Sequence, residues 1–362
     1  MKKRRWYINS KLFSPLKLRD IEFRNRIFLS PMDMYCSEDG IPSDWHFVHY
    51  GTRAVGGAAL LIQEATAVAP EGRISLGDLG IWSDKHADAF KHITSFVKAQ
   101  GVVPGVQLAH AGRKASVTIP SFDDRPLTEQ EGAWQTLGPS PVAFSASFLV
   151  PREMTPNELD EVVSQFATAA KRVLVAGYEV VEIHMAHGYL CHQFLSPLSN
   201  KRSDEYGGSF TNRVRLPLLV AEAVRKAWPE NLPVFVRVSA TDWVKGGWDL
   251  PQTIQFVRLL KDIGIDLIDC STGGLVPDAK IPVGPGFQVP FAAAVRDEAK
   301  IPTAAVDCIT ESFQAEQIIS TGMADAVLLG REMLRNPYWP FEASRKLRAD
   351  LAWPSQYLRS KP

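Results

Sequence analysis

Two histidines and a tyrosine in one short segment are the residues best suited to catalysis. His184, His187 and Tyr189 fall within the sequence HMAHGY (residues 184–189). Paired imidazoles donate hydrogen bonds to a carbonyl or phenolate oxygen, and a phenol supplies a proton. Two other interpretations stay open here. The histidines are structural, or they bind zinc, although Cys, Asp or Glu ligands at metal spacing are missing nearby.

A second candidate site is an anion site at Leu329, Gly330 and Arg331. Glycine lets a phosphate oxygen approach the backbone, a helix start offers amide donors, and arginine adds a bidentate charge. The alternative is an ordinary helix start that carries a surface arginine.

Apolar segments that alternate with amphipathic ones predict the elements that position these residues. Eight short segments are apolar on both faces, as buried parallel strands are. They are residues 26–30, 58–63, 102–108, 179–184, 233–239, 266–271, 302–306 and 325–330. The amphipathic segments predict helices over residues 85–100, 155–176, 211–228, 251–263 and 311–321. Eight strand-then-helix units favour an α/β fold, a closed (β/α)8 TIM barrel, over the alternative of an open doubly wound sheet.

In such barrels the chemistry lies where the strands end, so both candidate sites are predicted to share one face. Residues 12–25 are predicted to form an N-terminal hairpin cap, and residues 116–151, rich in Pro, Ser, Asp and Gly, a long excursion after the third strand. We expect one domain over residues 1–362, with 350–362 as a C-terminal tail.

Composition excludes several other classes of protein. The 40 Lys and Arg residues balance the 40 Asp and Glu residues, which argues against a nucleic-acid partner. No apolar run reaches the ~18 residues that a membrane helix needs, and no secretion signal is recognised, so a cytoplasmic location is expected. The four cysteines are widely spaced, which disfavours a disulfide framework or a structural zinc site.

Several motifs together carry a resemblance to one enzyme family. They are FRNRI (residues 23–27) before SPM (30–32), QLAHAGRK (107–114), HMAHGY (184–189), NKR (200–202), YGGS (206–209), NR (212–213) and GR (330–331). With these motifs the chain resembles the Old Yellow Enzyme family of FMN-dependent ene-reductases, in particular its bacterial branch that contains the xenobiotic reductases. The resemblance covers nearly the whole chain.

The resemblance implies FMN at the barrel mouth, reduced by NADPH or NADH and reoxidised by a small-molecule activated alkene in a ping-pong cycle. It implies cofactor contacts from Ser30, Pro31, Met32, Asp33, Ala65, Gln107, Arg237, Val306, Asp307, Gly330 and Arg331. Among these, Gln107 would bond the pyrimidine edge, Arg237 would stabilise the reduced cofactor, and Gly330 and Arg331 would hold the phosphate.

For the substrate, the resemblance implies that His184 and His187 bind the electron-withdrawing oxygen and that Tyr189 protonates the α-carbon. It also implies that Tyr35 contacts the substrate and that Lys114 contacts substrate or cofactor. The tail would carry Trp353 or Arg359 into a neighbouring subunit's site, which predicts a homodimer or homotetramer.

Two residues depart from the family pattern. Asp33 stands where the branch usually has Cys beside the flavin, and Asp307 stands where the family normally has Gly near the phosphate. A carboxylate at either position opposes negative charge on the cofactor. An alternative function is therefore a flavin- or ligand-binding barrel with little redox turnover.

Overall fold

Eight parallel strands close into a barrel in the computed structural model, which describes residues 10–119 and 125–361. The strands of this part of the chain are β1 Leu16–Leu18, β2 Ile21–Phe23, β3 Ile27–Leu29, β4 Leu60–Ala67, β5 Leu79–Gly80, β6 Val103–Ala109, β7 Leu137–Gly138, β8 Arg152–Glu153, β9 Val180–Met185, β10 Val234–Ser239, β11 Leu267–Ser271, β12 Thr303–Val306 and β13 Ala326–Leu329. The barrel order is β3-β13-β12-β11-β10-β9-β6-β4, and β4 pairs with β3 to close it. The (β/α)8 prediction is confirmed, and each predicted strand overlaps one barrel strand.

Helices on the outside of the barrel follow the strands. They are α1 Asp44–Val55, α2 Asp84–Ala99, α3 Pro156–Val175, α4 Leu190–Leu195, α5 Phe210–Arg213, α6 Arg215–Ala227, α7 Leu250–Ile263, α8 Val289–Ala299, α9 Ser312–Ser320, α10 Arg331–Arg335 and α11 Trp339–Leu347. The segment predicted as one helix over residues 211–228 is two helices that meet at Val214. Pro217 accounts for the break, since its ring lacks the N–H that would bond the Arg213 carbonyl.

Two layers of apolar side chains hold the barrel together. The larger layer lies between strands and helices and includes the fully buried Phe90, Phe166 and Phe256. The smaller layer fills the lower barrel, where the Phe23 ring lies 5.0 Å from that of Phe28 and 6.4 Å from that of Phe235. Truncating one such ring to alanine costs about 3–5 kcal/mol in typical cores.

The predicted N-terminal hairpin cap is confirmed by the antiparallel pair of β1 and β2, which brings Phe23 of β2 into this lower layer. The barrel is thereby filled at the amino ends of its strands, and the polar residues lie at the carboxyl ends.

Part of the predicted excursion, residues 120–124, lies outside the described residues. Arg113 ties the rest to the barrel by donating from Nη1 to the carbonyl oxygens of Val142 and Ala143 at 3.1 and 3.3 Å.

Strand register decides which polar side chains meet. In the parallel pairs, Gln107 of β6 is opposite Glu182 of β9, and Arg237 of β10 is opposite both His184 of β9 and Asp269 of β11. The two sequence motifs QLAHAGRK and HMAHGY are therefore neighbours at one barrel end.

No helix among the described residues is long and apolar enough to cross a membrane. Each of the four cysteines is a free thiol.

Candidate active site

A cavity of about 560 Å³ opens at the carboxyl ends of the strands. Its size lies within the range of cofactor and small-molecule sites. Most of the residues that the sequence predicted for the site line this cavity. They are Ser30, Pro31, Met32, Asp33, Gln107, His184, His187, Tyr189, Arg237, Val306, Asp307, Gly330 and Arg331.

His184 and His187 form an edge-to-face pair on the cavity wall, with ring centroids 5.1 Å apart. Burial, followed by the positive charge of Arg237, lowers the pKa of both imidazoles well below the usual value. Both rings are therefore neutral at physiological pH. His184 Nδ1 accepts from the Ala186 amide at 3.3 Å, which leaves its hydrogen on Nε2 as a donor. His187 Nε2 lies 2.6 Å from Ser271 Oγ.

The turn that carries His187 has an unusual backbone. His187 and Gly188 have φ values of 56° and 74°. A left-handed conformation is strained for a non-glycine residue and persists only where the surroundings hold it. The His187 amide donates to Ser239 Oγ at 2.9 Å, and the Gly188 amide donates to His192 Nδ1 at 2.9 Å. A Cβ on Gly188 would lie 2.2 Å from the Gly274 carbonyl oxygen, so the close approach requires glycine.

His192 is itself fixed by a buried carboxylate. Asp242 Oδ1 lies 2.8 Å from His192 Nε2, and Asp242 Oδ2 accepts from Ser196 Oγ at 2.6 Å and from the Trp248 amide at 2.7 Å. Burial alone would raise the pKa of Asp242, but these contacts outweigh it and lower the pKa. An ionised Asp242 thus holds the turn of His187 in place through His192.

Lys114 supports the same turn from the other side. Its Nζ donates to the carbonyl oxygens of His187 at 3.0 Å and Gly274 at 3.3 Å. The ammonium group also lies 5.0 Å from the centroid of the Tyr189 ring and 4.5 Å from that of Phe144. The Tyr189 ring in turn lies 5.0 Å from that of His184. These contacts place Tyr189 and both histidines in one rigid cluster.

Gln107 and Arg237, on the neighbouring wall, are each backed by a buried carboxyl group. Gln107 Nε2 donates to Glu182 Oε1 at 2.8 Å. Arg237 Nε lies 3.0 Å from Asp269 Oδ2. Both side chains are therefore held in fixed positions beneath the cavity.

Asp33 lies on the opposite wall, partly exposed to the cavity, within reach of other acids. Its enclosure by protein, followed by the charges of Asp78 and Glu64, raises the pKa of its carboxyl group well above the usual value. The Tyr35 hydroxyl lies 3.5 Å from Asp33 Oδ2. Glu64 is engaged by the Tyr50 hydroxyl at 3.1 Å and by the Met34 amide. Of Asp33, Glu64 and Asp78, Asp33 is the acid that lines the cavity, and its raised pKa favours the neutral form.

A chain of hydrogen bonds runs from the histidines to the predicted phosphate end. Ser271 Oγ, which contacts His187 Nε2, also lies 3.3 Å from Gln288 Oε1, and Gln288 Nε2 donates to Asp307 Oδ2 at 3.3 Å. Asp307 Oδ1 then accepts from Arg331 Nη2 at 2.9 Å. Asp307 and Cys308 have φ values of 79° and 49°, so this loop is strained where the family pattern has glycine.

Five predicted residues are outside the cavity lining, and Lys114, described above, is one of them. Ala65 borders a small adjacent cleft together with Tyr189, and Tyr35 packs in an apolar cluster with the same tyrosine. Trp353 stacks on Phe341 with ring centroids 4.3 Å apart, and Arg359 is exposed in the tail. The last two residues do not reach the cavity of their own chain, so their predicted role in a neighbouring subunit stays a prediction.

Sequence reasoning missed several lining residues. They are Gly284, Pro285, Gln288, Cys308, Ile309, Thr310, Leu328 and Arg335, while Ser271 and Glu332 lie at the ends of predicted strands and carry no predicted role. Gln288 ends the long segment between β11 and α8, where no periodic pattern or motif marks a cavity residue. For the zinc alternative, no cluster of three His, Cys, Asp or Glu residues arranged to hold a metal occurs in residues 10–119 and 125–361.

Most of the chain matches the sequence model of a known protein family. Residues 11–350 match the model of the NADH:flavin oxidoreductase / NADH oxidase family. The chain belongs to this family. An NADPH dehydrogenase of Geobacillus sp. (strain WCH70) is 47% identical over 350 residues, which are 96% of this chain and 98% of the relative. An NADPH dehydrogenase of Bacillus subtilis (strain 168) is 46% identical over 351 residues, 96% of this chain and 98% of the relative.

Solved structures of the same type superpose well. Morphinone reductase has a TM-score of 0.79 at 26% identity, covering 97% of this chain and 93% of its own. The Old Yellow Enzyme homologue of Zymomonas mobilis has a TM-score of 0.78 at 26% identity, covering 97% of this chain and 99% of its own. The protein is accordingly an FMN-dependent NADPH oxidoreductase of the Old Yellow Enzyme family.

The residues of the cavity fit FMN. Gln107 and Arg237 in its lining would supply polar groups for a pyrimidine edge, and Arg331 would supply a cation for a phosphate. Gly330 leaves room beside Met32 in the lining, since a Cβ there would lie 3.3 Å from Met32 Sδ. Asp307 would compete with the phosphate for Arg331, because its carboxylate already pairs with that guanidinium.

Proposed function

We propose that this protein is an ene-reductase, which reduces the activated C=C bond of α,β-unsaturated carbonyls and maleimides, and also acts on quinones and nitro compounds. The observation that carries the proposal is the neutral pair His184 and His187 beside Tyr189. Two neutral N–H donors suit an oxygen that gains negative charge in the transition state, and such donors typically contribute about 10²–10³ in rate.

Each residue of the cluster has a distinct role in this proposal. FMN, when bound, supplies the hydride chemistry between NADPH and the β-carbon of the alkene. His184 and His187 bind the carbonyl oxygen and stabilise its enolate-like charge, while Tyr189 delivers a proton to the α-carbon. Gln107 and Arg237 orient the cofactor and oppose its negative charge, and Gly330 with Arg331 binds its phosphate.

We also propose a ping-pong cycle, in which NADP⁺ leaves before the alkene binds. One cavity between the histidines and Arg237 supports this order, because reductant and alkene both need the same face of the cofactor. Anaerobic stopped-flow absorbance, with NADPH first and 2-cyclohexenone second, tests function and order together. We expect the flavin absorbance to bleach with NADPH and to return with the enone at a rate independent of NADP⁺.

A second candidate function is a flavin- or ligand-binding barrel with little turnover. The ion pair of Asp307 with Arg331 and the acids around Asp33 favour it, since both oppose negative charge on a cofactor. A protein whose flavin absorbance never bleaches with NADPH, or does not return with any of these acceptors, would support binding without turnover and overturn the ene-reductase.

The proposed assembly is a homodimer or homotetramer in which the tail serves a neighbouring site. The exposed position of Arg359, away from the cavity of its own chain, supports this arrangement. Trp353 is the second candidate, although its stacking on Phe341 occupies one ring face.

A further inference from the structure

Two carboxyl groups beneath the cavity have no assigned role. Glu182 and Asp269 are both 0% exposed, and they lie on β9 and β11 on either side of Arg237. Glu182 contacts Gln107, and Asp269 contacts Arg237. Each of the two polar side chains proposed to hold the pyrimidine edge is therefore in contact with a buried acid.

The hydrogen bonds of these acids are incomplete. Among the described residues, Glu182 Oε2 has no partner. Asp269 Oδ2 lies 3.0 Å from Arg237 Nε, but the N–H is not aligned for a hydrogen bond, and Asp269 Oδ1 has no partner either. Burying an ionised carboxylate without partners costs several kcal/mol, so a buried acid in this position favours the neutral form.

The charges of the cluster support one carboxylate and not two. Burial raises the pKa of Glu182, its neighbour Asp269 adds to the increase, and Arg237 opposes it. Burial also raises the pKa of Asp269, and Arg237 opposes that increase. Since Asp269 has the contact with the guanidinium, Asp269 is the ionised member with oxidised cofactor and Glu182 holds a proton.

No other charged group described near Glu182 and Asp269 changes which of the two acids is ionised. Gln107 of β6 is neutral, and His184, two residues beyond Glu182 on β9, has its pKa lowered by burial and by Arg237. The Cys270 thiol, next to Asp269 on β11, has a raised pKa because it is buried beside that acid. Lys114 and His192 contact the turn that carries His187 and act on the two histidines rather than on the acids.

We propose that Glu182 and Asp269 form a redox-linked proton site, which takes up one proton from solvent when the cofactor is reduced and releases it on reoxidation. The inference rests on the proposed placement of FMN against Gln107 and Arg237. Its physical basis is a change of partner, in which Arg237 turns from Asp269 to the negative charge that the reduced cofactor carries.

The step balances in protons and electrons. NADPH gives two electrons and one proton as a hydride and leaves as NADP⁺. Arg237 then neutralises the added charge, and Asp269 loses its counter-ion, which favours the protonated acid. One O–H bond forms on a carboxylate with a proton from solvent, and no further electrons move. Reoxidation returns Arg237 to Asp269 and breaks that O–H bond.

The test is the flavin midpoint potential of the holoenzyme measured against pH with reference dyes. A proton taken up by the protein adds to the one that accompanies cofactor reduction, so we expect about two protons per two electrons near neutral pH. The double variant Glu182→Gln/Asp269→Asn is expected to show about one. Asp269→Asn alone removes the carboxylate that takes up the proton and is expected to show about one, whereas Glu182→Gln alone is expected to keep about two.

A matched control removes two acids from the exposed end of the same cavity. Asp307→Asn/Glu332→Gln changes the net charge equally, but these acids pair with Arg331 and Arg335 at the mouth. We expect this variant to keep the proton count of the wild type. Loss of the extra proton in the control as well would overturn the assignment to the buried pair.

A second measurement does not depend on how the double variant folds. The infrared difference spectrum of the wild type, reduced minus oxidised, should gain a carbonyl stretch of a protonated carboxyl group that shifts in heavy water. A wild type that shows about one proton per two electrons and no such band would overturn the proposal. Neither measurement uses an alkene, so failure to reduce 2-cyclohexenone would refute the proposed substrate class alone.

Discussion

Arg331 Nη2 lies 2.9 Å from Asp307 Oδ1, so the guanidinium proposed for the cofactor phosphate already has a carboxylate partner. The Arg331 side chain is 70% exposed and that of Asp307 is 31% exposed. An ion pair this accessible to water typically contributes about 0–1 kcal/mol. A cofactor phosphate bound at Arg331 would therefore displace Asp307 at modest cost, but it would still lie near the displaced carboxylate.

We predict that Asp307→Gly tightens FMN binding. The substitution removes the competing charge and places glycine at a φ of 79°, so the dissociation constant should fall by about 3–10-fold. Titration of the apoprotein with FMN, followed by quenching of flavin fluorescence, measures this. Glu332→Gln is the control, since this neighbouring acid pairs with Arg335, and its Kd should stay within about twofold of the wild type. Equal tightening in both variants would assign the effect to net charge.

We predict that Asp33→Cys raises the flavin midpoint potential, and that the difference from wild type grows with pH. Burial raises the pKa of Asp33, so its carboxyl group is neutral at low pH and becomes anionic as pH rises through that raised value. The anion then opposes electrons on the adjacent cofactor. Asp33→Asn should share the high-pH increase. An unchanged or lowered potential in Asp33→Cys would show that Asp33 does not face the ring.

We predict that kcat/KM for the enone falls by about 10² in His184→Ala and less in His184→Asn, which keeps a donor. The pKa of His184 and His187 is lowered well below the usual value, so both rings stay neutral as pH falls through the ordinary histidine range near 6.5. The wild-type profile of kcat/KM should therefore show no ionisation there. A break near that pH that disappears in the histidine variants would contradict neutral imidazoles.

We predict that Asp242→Asn lowers the free energy of unfolding by about 2 kcal/mol, because it weakens the buried hydrogen bonds that an ionised Asp242 accepts from His192 and Ser196. The pKa of Asp242 is lowered in the folded protein, so its contribution is present above the unfolded value of about 3.9 and is lost as pH falls through the folded one. The loss in the variant should thus shrink in acid. Asp249→Asn, which alters a helix cap, should cost less than about 1 kcal/mol. Chemical denaturation at several pH values measures the free energy of unfolding of both variants. Equal decreases in the two variants would show that Asp242 stabilises the fold no more than an exposed helix cap does.

We predict that Arg359→Ala lowers activity by way of the neighbouring subunit. In an oligomer co-expressed with His184→Ala chains, some sites combine an intact histidine pair with an intact tail from the other chain. The mixed assembly should exceed the activity of either parent several-fold. Activity equal to the average of the two parents would show that the tail does not enter a neighbour's site.

The sequence by itself determined the fold and the identity of most cavity residues. The apolar strand segments repeat along the chain, and motifs such as HMAHGY directly follow a strand, so their shared face follows from barrel geometry alone. The hairpin cap was equally local, since its two strands are separated by two residues.

Only the tertiary structure decided which side chains pair and which carry charge. Gln107 meets Glu182, Arg237 meets Asp269, and Asp307 meets Arg331 across residues that are distant in the chain. Gln288 enters the cavity from a long segment without any motif. The sequence names these residues, but their partners depend on strand register and closure of the barrel, and their pKa values depend on burial. Strand register and burial are both set only when the whole barrel has formed.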